Sequence, residues 1–247
     1  MKFGITQSFS CSYLPDEQEQ LLVFAGQTEH LPWRYGQLIQ LGFRRSGEQV
    51  YRPHCPSCQA CQSVRVPVRE FRYSRSQKRL HNRNKHFSRL LNTQIRDSYY
   101  PLYERYINAR HKDGAMYPPS RSQFDNFIHC QWKPPLFLEA WHDDKLIAVA
   151  VTDSIDIGEE QHALSALYTF FDPDYEAHSI GTWMILSQVE TARELKRDYL
   201  YLGYQVDGCQ KMAYKQKFQP FESFINNKWQ RFDKKSAVNL YTPPDIG

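Results

Sequence analysis

Three cysteines spaced two residues apart, in Tyr51-Arg-Pro-His-Cys55-Pro-Ser-Cys58-Gln-Ala-Cys61, constrain this chain more than any other feature. The prolines and polar residues make the stretch a loop, and the spacing lets that loop aim three sulfurs at a common point. Thiolates converging in this way bind zinc or an iron–sulfur cluster, or carry out redox chemistry. A fourth thiol, Cys11, sits in a second turn-like stretch, Ser10-Cys-Ser-Tyr-Leu-Pro15. Four thiols would close a tetrahedral site and tie the N-terminal arm to the 55–61 loop. The competing reading is a set of reduced thiols packed in a small core. Cys130 and Cys209 have no cysteine neighbours and read as ordinary buried thiols.

The chain has 247 residues, enough for one large domain or two closely packed small ones. With 41% hydrophobic residues it can bury a substantial core, and a mean hydropathy of −0.67 marks it as soluble. No apolar run approaches the roughly 18 residues of a membrane span. The N-terminus has no signal-peptide core and the C-terminus no lipidation motif, so a membrane partner is excluded and the cytoplasm is the expected location. Free or metal-bound thiols suit that compartment.

The formal net charge is only +4, but it is unevenly placed. Between Arg65 and Arg96 ten Lys/Arg face a single acid, Glu70, so this segment carries +9 and the rest of the chain −5. Such asymmetry is the usual footprint of a polyanion site. Residues 74–92 are expected to form a helix with Leu80, Phe87 and Leu91 as a narrow apolar stripe. Arg75, Arg79, Arg83 and His86 flank the stripe on one side, and Lys78, Lys85 and Arg89 on the other. A solvated helix face normally mixes charge signs, whereas this one has no acid; phosphates would neutralise it.

Residues 1–70 read as short strands and turns, with Ser63–Val68 alternating as a strand that leaves the cysteine loop. Tyr99, Leu102, Tyr103, Tyr106 and Ile107 recur at helical spacing over 98–112, and Gly114 marks a stop. Ser120 and Gln123 predict a capped helix that turns Phe124, Phe127 and Ile128 inward. Strands follow at 136–141, 145–151 and 163–171, then a helix from about His178 to Lys196. A strand at 199–202, a short helix at 210–217 and a strand pair at 221–225 and 229–232 complete the pattern; Pro243-Pro244 reads as a tail. The predicted class is α+β, divided into a cysteine-loop and helical region over 1–132 and an acyltransferase domain over 133–247. The order β-β-β-α-β-α-β-β of the second region is that of the N-acetyltransferase-like (GNAT) fold. In that fold the acyl donor sits where two parallel strands splay, here 163–171 and 199–203. Backbone N–H groups at His178-Ser-Ile-Gly-Thr182 would hold an oxygen of the donor; a plain helix start is the alternative. Fold likeness alone fixes no activity.

Several motifs then converge. They are Cys11-Ser-Tyr-Leu-Pro15, Gly42-Phe-Arg-Arg-Ser-Gly47, the 51–61 cysteine loop, Ser74-Arg-Ser-Gln77 and Arg110-His-Lys-Asp-Gly-Ala-Met-Tyr-Pro-Pro-Ser120. Tyr168-Thr-Phe-Phe-Asp-Pro-Asp174 and Tyr199-Leu-Tyr-Leu-Gly-Tyr204, with Cys209-Gln-Lys-Met-Ala-Tyr-Lys215, complete the set. In order and over nearly the whole chain, the sequence resembles the aminoacyl-tRNA–protein transferases, and most closely their bacterial aspartate/glutamate leucyltransferase branch. The resemblance implies transfer of leucine from leucyl-tRNA to an N-terminal Asp or Glu, marking the acceptor for N-degron degradation. Arginine as donor is the alternative within the family. In the arginyltransferase branch, cysteines of these motifs are linked to zinc or iron–sulfur binding. Leu14 stands where that branch has a second cysteine near Cys11, which leaves Cys55, Cys58 and Cys61, with Cys11, as the expected ligands of a structural zinc or cluster.

The implied chemistry needs no cofactor. An α-amino group titrates near pH ~8, so part of it is nucleophilic at neutrality, and the site has to orient amine and ester, polarise the carbonyl and protonate the leaving ribose oxygen. Arg75, Lys78, Arg79 and Arg83 are expected to grip the tRNA acceptor stem through phosphates and shape. Arg75, Arg79 and Lys215 are candidates for the acidic side chain of the acceptor. Asp172 is the expected acceptor for the α-amine, with a turn cap as its alternative role. Tyr168, Tyr204 and Tyr214 are expected to polarise the carbonyl, stack on the terminal adenine or simply pack. His111, Asp113 and Tyr117 are placed near the cleft, and Lys211 and Met212 read as structural. Two other classes compete: a metal-stabilised tRNA-binding module without catalysis, and an acetyl-CoA acetyltransferase, which would leave the basic helix unexplained.

Overall fold

The computed structural model of the protein describes residues 1–114, 116–209 and 212–233. Lys211 and the Pro243-Pro244 tail lie outside the described residues. The first half of the chain runs β1 (Phe3–Ile5), β2 (Phe9–Ser10), β3 (Gln18–Glu19), β4 (Leu21–Phe24), α1 (Leu31–Gln40), β5 (Arg44–Ser46), β6 (Gln49–Pro53), β7 (Cys61–Pro67), α2 (Arg75–Arg83), β8 (Ser88–Asn92), α3 (Tyr99–Arg110) and α4 (Arg121–Ile128). The second runs β9 (Leu136–His142), β10 (Lys145–Asp156), β11 (His162–Phe171), α5 (Ile180–Glu194), β12 (Tyr199–Val206), β13 (Phe221–Ile225) and β14 (Lys228–Phe232). Ala213–Lys217, within the expected short helix, is a 3-10 turn.

The class is mixed α+β, as the pattern predicts. Eight strands form one sheet in the order β14-β13-β7-β12-β11-β10-β9-β8. Every neighbouring pair is antiparallel except β11 and β12, which run parallel. Strands from both sides of residue 132 contribute to this sheet, because β7 from the cysteine loop lies between β12 and β13. Period-two alternation sorts the faces. Leu164 and Leu200 join Ile185, Leu186 and Val189 of α5 on one face. Ala163 and Tyr201 meet Tyr35, Leu38 and Ile39 of α1 on the other. A second sheet, β1-β4-β6-β5, borders α1.

Two expectations are corrected here. The helix read over 74–92 ends at Arg83, and Ser88–Asn92 is instead the edge strand of the large sheet, paired with Trp141 back to Phe137. The stop is set by Asn84, fully buried, whose side-chain amide donates to the His178 carbonyl at 2.9 Å. Phe87 then packs among His142, Tyr175 and Trp183 rather than along a helical stripe. The second correction is α1, in a region read as strands and turns alone. Leu31, Tyr35, Leu38 and Ile39, all buried, carry its apolar face at i, i+4, i+7 and i+8. Gly36 lets α1 press on the end of β10, since a Cβ there would lie 1.8 Å from the Asp156 carbonyl oxygen.

The N-terminal strands are tied to the large sheet by a buried ion pair. Arg45 Nε and Nη2 donate to the two oxygens of Asp153 on β10 at 2.7 and 2.6 Å, with both side chains wholly inaccessible. Among the described residues no helix is long and apolar enough to cross a membrane.

Candidate functional site

The one parallel pairing in the sheet is short. Ala163, Leu164 and Ser165 of β11 pair with Tyr199, Leu200 and Tyr201 of β12. Beyond that point β11 continues to Phe171 and β12 to Val206 without pairing, so the two strands splay. Unpaired backbone inside a sheet must find other partners, and here a side chain from β5 supplies one. Arg44, 5% exposed, donates from Nη2 to the Ala166 carbonyl on β11 at 2.6 Å. Its guanidinium lies against Gly203 of β12, where a Cβ would come within 3.4 Å of Arg44 Cζ and Nη2. Gly203 holds φ +86, a conformation that favours glycine.

Four of the expected site residues, Tyr168, Tyr204, Tyr214 and Lys215, come from the two splayed strands and the turn after β12. Lys215, from the 3-10 turn after β12, is also 5% exposed and donates from Nζ to the Tyr204 carbonyl. Burial first, and then the Arg44 charge, push the Lys215 amine down to about 7. Tyr168 on β11 buries a hydroxyl without a partner, and burial raises its pKa. Tyr214 is pushed up to about 12 by burial and by Tyr106, against the opposing pull of Arg44. The rings of Tyr106 and His111 are 5.0 Å apart, and those of Tyr106 and Tyr168 6.3 Å. All three phenols therefore remain protonated donors at neutral pH. Tyr204 spends its hydroxyl on the Gly42 carbonyl at 2.9 Å, which makes it a strut between β12 and the N-terminal region. Tyr168 keeps its hydroxyl uncommitted.

The basic helix is joined to the same place. The side chain of Gln77, 5% exposed, donates to the Lys217 carbonyl at 3.0 Å, fixing α2 to the turn that carries Lys215. Ser74 and Gln77 form a capping box at its start. Arg75, Lys78, Arg79 and Arg83 are all exposed, and none has an ion-pair partner among the described residues. The rest of the basic segment is partly neutralised: Arg65 pairs with Glu222, Arg69 with Asp198, Arg89 with Glu190 and Arg96 with Glu139. The uncompensated charge thus concentrates on α2.

Three expected residues lie apart from this arrangement or are committed within it. Asp113 is exposed, and Tyr117 is 43% exposed. Asp172, the expected amine acceptor, is fully buried and occupied. Oδ2 meets Lys145 at 2.7 Å and Arg105 at 2.9 Å, and Oδ1 accepts the Asp174 N–H at 3.1 Å. Burial alone would raise its pKa; the Lys145 bond, the Asp174 N–H and Arg105 outweigh it and hold the carboxyl below its ordinary value of 3.8. With no oxygen left facing an incoming amine, the geometry is that of the alternative role, a cap that joins β10, α3 and the start of the Pro173–His178 turn. Asp172→Asn should cost about 1–3 kcal/mol at pH 7. A carboxyl with a depressed folded pKa stabilises above its unfolded pKa and loses that contribution as pH falls, so the deficit should shrink below pH ~4. Urea denaturation at pH 7 and pH 3 checks both values.

The four expected thiol ligands line one cleft of about 770 Å³, shared with Tyr13 and Arg52. Cys11 Sγ accepts the N–H groups of Tyr13 and Leu14 at 3.4 and 3.5 Å, and Cys55 Sγ donates to the Gln20 carbonyl at 3.8 Å. Burial, then the neighbouring thiols of Cys55, Cys11 and Cys58, push Cys61 up to about 12. All six cysteines are free thiols. Among the described residues no three His, Cys, Asp or Glu side chains come close enough to hold a metal ion, so the thiols as placed share a cleft without forming a ligand set.

The geometry missed by the sequence reading is Arg44. It lies inside the motif Gly42-Phe-Arg-Arg-Ser-Gly47, but nothing in that motif distinguishes it from Arg45, whose charge is consumed by Asp153.

Comparison with known proteins bears on the whole chain. Residues 9–79 match the N-terminal model, and residues 98–225 the C-terminal model, of a family described as arginine-tRNA-protein transferase. An aspartate/glutamate leucyltransferase of Pseudoalteromonas atlantica is 52% identical over 235 residues, covering 95% of this chain and 99% of that protein. One from Aeromonas hydrophila is 49% identical, covering 95% and 97%. A solved structure, the C-terminal domain of a putative lysylphosphatidylglycerol synthetase from Agrobacterium fabrum, matches at TM-score 0.48 and 14% identity over 81% of this chain and 63% of its own. The motifs from the N-terminal cysteines to Lys215 therefore belong to one inheritance, and the chain is a member of the arginine-tRNA-protein transferase family, among relatives named aspartate/glutamate leucyltransferase.

Proposed function

We propose that the protein transfers leucine from leucyl-tRNA to the N-terminal Asp or Glu of other proteins. The carrying observation is its 52% identity, over 95% of the chain, to a relative of that name. On this reading the large sheet is an acyltransferase of GNAT type, and the splay between β11 and β12 is its reaction cleft. The exposed cations of α2 hold the acceptor stem, and the Gln77–Lys217 bond sets that helix at the mouth of the splay. Charge on a helix surface positions phosphates and carries no sequence information, as suits a tRNA recognised by shape and by its amino acid.

The reaction forms one bond and breaks one. The free α-amine attacks the ester carbonyl, a C–N bond replaces the C–O bond to the terminal ribose, and the proton shed by the amine ends on the departing ribose oxygen. On this reading the Tyr168 hydroxyl, on β11 and without a hydrogen-bond partner among the described residues, is the donor that stabilises the carbonyl oxygen as charge develops on it. Close orientation supplies much of the remaining acceleration. Leucine placed on an acidic N-terminus would mark the acceptor for degradation, in the cytoplasm on this reading. A tRNA binder without catalysis would need α2 but would have no use for the splay.

Transfer of labelled leucine from charged tRNA to peptides beginning with Asp, Glu, Lys or Ala tests this reading. Product on the Asp and Glu peptides alone is expected; none on any peptide would overturn it. The tRNA surface is tested separately: Arg79→Ala should weaken binding of leucyl-tRNA and lower the slope of log K against log salt by about 1. Binding unchanged at both 50 mM and 200 mM salt, the range over which phosphate contacts act strongly, would remove α2 from that surface.

A further inference from the structure

Two buried cations, Arg44 and Lys215, act on each other near the splay, and neither has an anionic partner among the described residues. Arg44 and Lys215 are each 5% exposed. Arg44 Nη1 is inaccessible and has no hydrogen-bond partner, while Nη2 has only the Ala166 carbonyl. Lys215 has the Tyr204 carbonyl and the thioether of Met212, a poor acceptor, at 3.1 Å. No carboxylate forms an ion pair with either among the described residues. Arg44 pushes the Lys215 amine down, and the thiols of Cys209 and Cys61 are the neighbours that act in the opposite sense. Burying an unpaired charge is expensive, and buried guanidinium groups are normally matched to a carboxylate. This chain shows that solution one residue away, where Arg45 is held bidentate by Asp153.

We infer, on the leucyltransferase reading above, that Arg44 with Lys215 forms the pocket for the side-chain carboxylate of the acceptor's N-terminal Asp or Glu. The planar fork of Arg44 suits a carboxylate, and Nη1 is the arm left unused. Gly203 packs its backbone against the guanidinium, where a Cβ would lie 3.4 Å from Cζ and Nη2. Tyr214, in the same turn as Lys215, is 37% exposed. An acceptor whose carboxylate enters there has its α-amine at the splay, where the ester is delivered. The depressed amine of Lys215 fits the same account: with the pocket empty the two cations repel, and an incoming anion relieves both. Arg75 and Arg79, expected from sequence to share this task, face water on α2, where a single ion pair discriminates weakly.

The test compares wild type, Arg44→Gln and Arg44→Lys, with leucyl-tRNA as donor and matched peptides beginning with Asp or Asn. Circular dichroism and thermal melting establish folding, and leucyl-tRNA binding is measured alongside. Arg44→Gln should lower kcat/KM for the Asp peptide by roughly 30-fold or more, the fold-change for truncating one side of a buried charge pair. Transfer to the Asn peptide should fall by less than transfer to the Asp peptide, so that the Asp-to-Asn preference drops, and leucyl-tRNA binding reports the donor side separately. Arg44→Lys keeps the charge and loses the fork, so its preference for Asp over Asn should fall by about tenfold; it carries the same test where Arg44→Gln does not fold. A folded variant that keeps the wild-type Asp-to-Asn ratio overturns the pocket while the transferase stands. Wild type that transfers leucine to neither peptide overturns both.

Discussion

Arg45→Met should lose about 3–5 kcal/mol of folding stability, a large share of the roughly 5–15 kcal/mol that a domain of this kind holds in total. Both side chains of the Arg45–Asp153 pair are shut off from water, and the contact is bidentate at 2.6 and 2.7 Å. Arg45 Nη1 also donates to the Gly47 carbonyl at 2.9 Å, closing the turn between β5 and β6. The large effect does not mean that the pair is worth that much over an apolar contact. Removing one partner leaves Asp153 charged, buried and unanswered, and that penalty dominates. The double change Arg45→Met with Asp153→Leu should therefore recover most of the loss. Urea denaturation of wild type, the single variant and the double variant separates the two accounts. A single variant within 1 kcal/mol of wild type would show that water reaches the pair.

Lys215→Met should change how stability depends on pH. In the folded protein, burial and Arg44 hold the Lys215 amine at about 7, against 10.5 in an open chain. The sign follows from proton counts. Below pH 7 both states carry the proton, and the folded state bears the full burial penalty. Between pH 7 and 10.5 the unfolded chain binds the extra proton, so folding stability rises with pH across that window. Wild type relative to Lys215→Met should gain on the order of 4 kcal/mol from pH 6 to 10.5, at ~1.36 kcal/mol per pKa unit. Denaturation midpoints of both proteins across that range measure the difference. A flat difference would mean that a counter-charge already satisfies the amine, which would also weaken the case for a carboxylate pocket beside it.

Local pattern carried much of the fold. The strands from 136 to 232, the long helix between the parallel pair and the Tyr99–Ile107 stripe all follow from periodicities of two and 3.6. The α1 helix was legible in the spacing of Leu31, Tyr35, Leu38 and Ile39, but short strand signals on either side obscured it. The stretch after Arg83 was not legible. Its charges and Leu80, Phe87 and Leu91 suit a helix, and the strand at Ser88–Asn92 exists because the sheet edge at β9 offers it hydrogen bonds. A partner some fifty residues away leaves no local trace. The same limit applies to β7, recognisable as a strand from its alternation while its place between β12 and β13 is set by pairing alone.

The site shows a sharper form of this limit. Arg44 and Arg45 are adjacent, identical in type and part of one motif, yet one is neutralised by Asp153 on β10 and the other reaches the splay with no anionic partner among the described residues. Sequence gives the residue types that chemistry needs; only the fold decides which charge is spent and which is available. Asp172 illustrates the reverse: a carboxylate at the end of the right strand, consumed by Lys145 and Arg105. The cysteine spacing likewise brings the thiols to one cleft without bringing them to one point.

The most direct measurement offers leucyl-tRNA and arginyl-tRNA, differently labelled, to the full chain in one reaction with peptides beginning with Asp, Glu, Asn and Lys. Leucine on the Asp and Glu peptides, with arginine left on its tRNA, is the expected result. Arginine transfer in its place would keep the family and overturn the donor. Transfer of either amino acid to the Asn and Lys peptides as readily as to Asp would contradict recognition of the acceptor by buried positive charge.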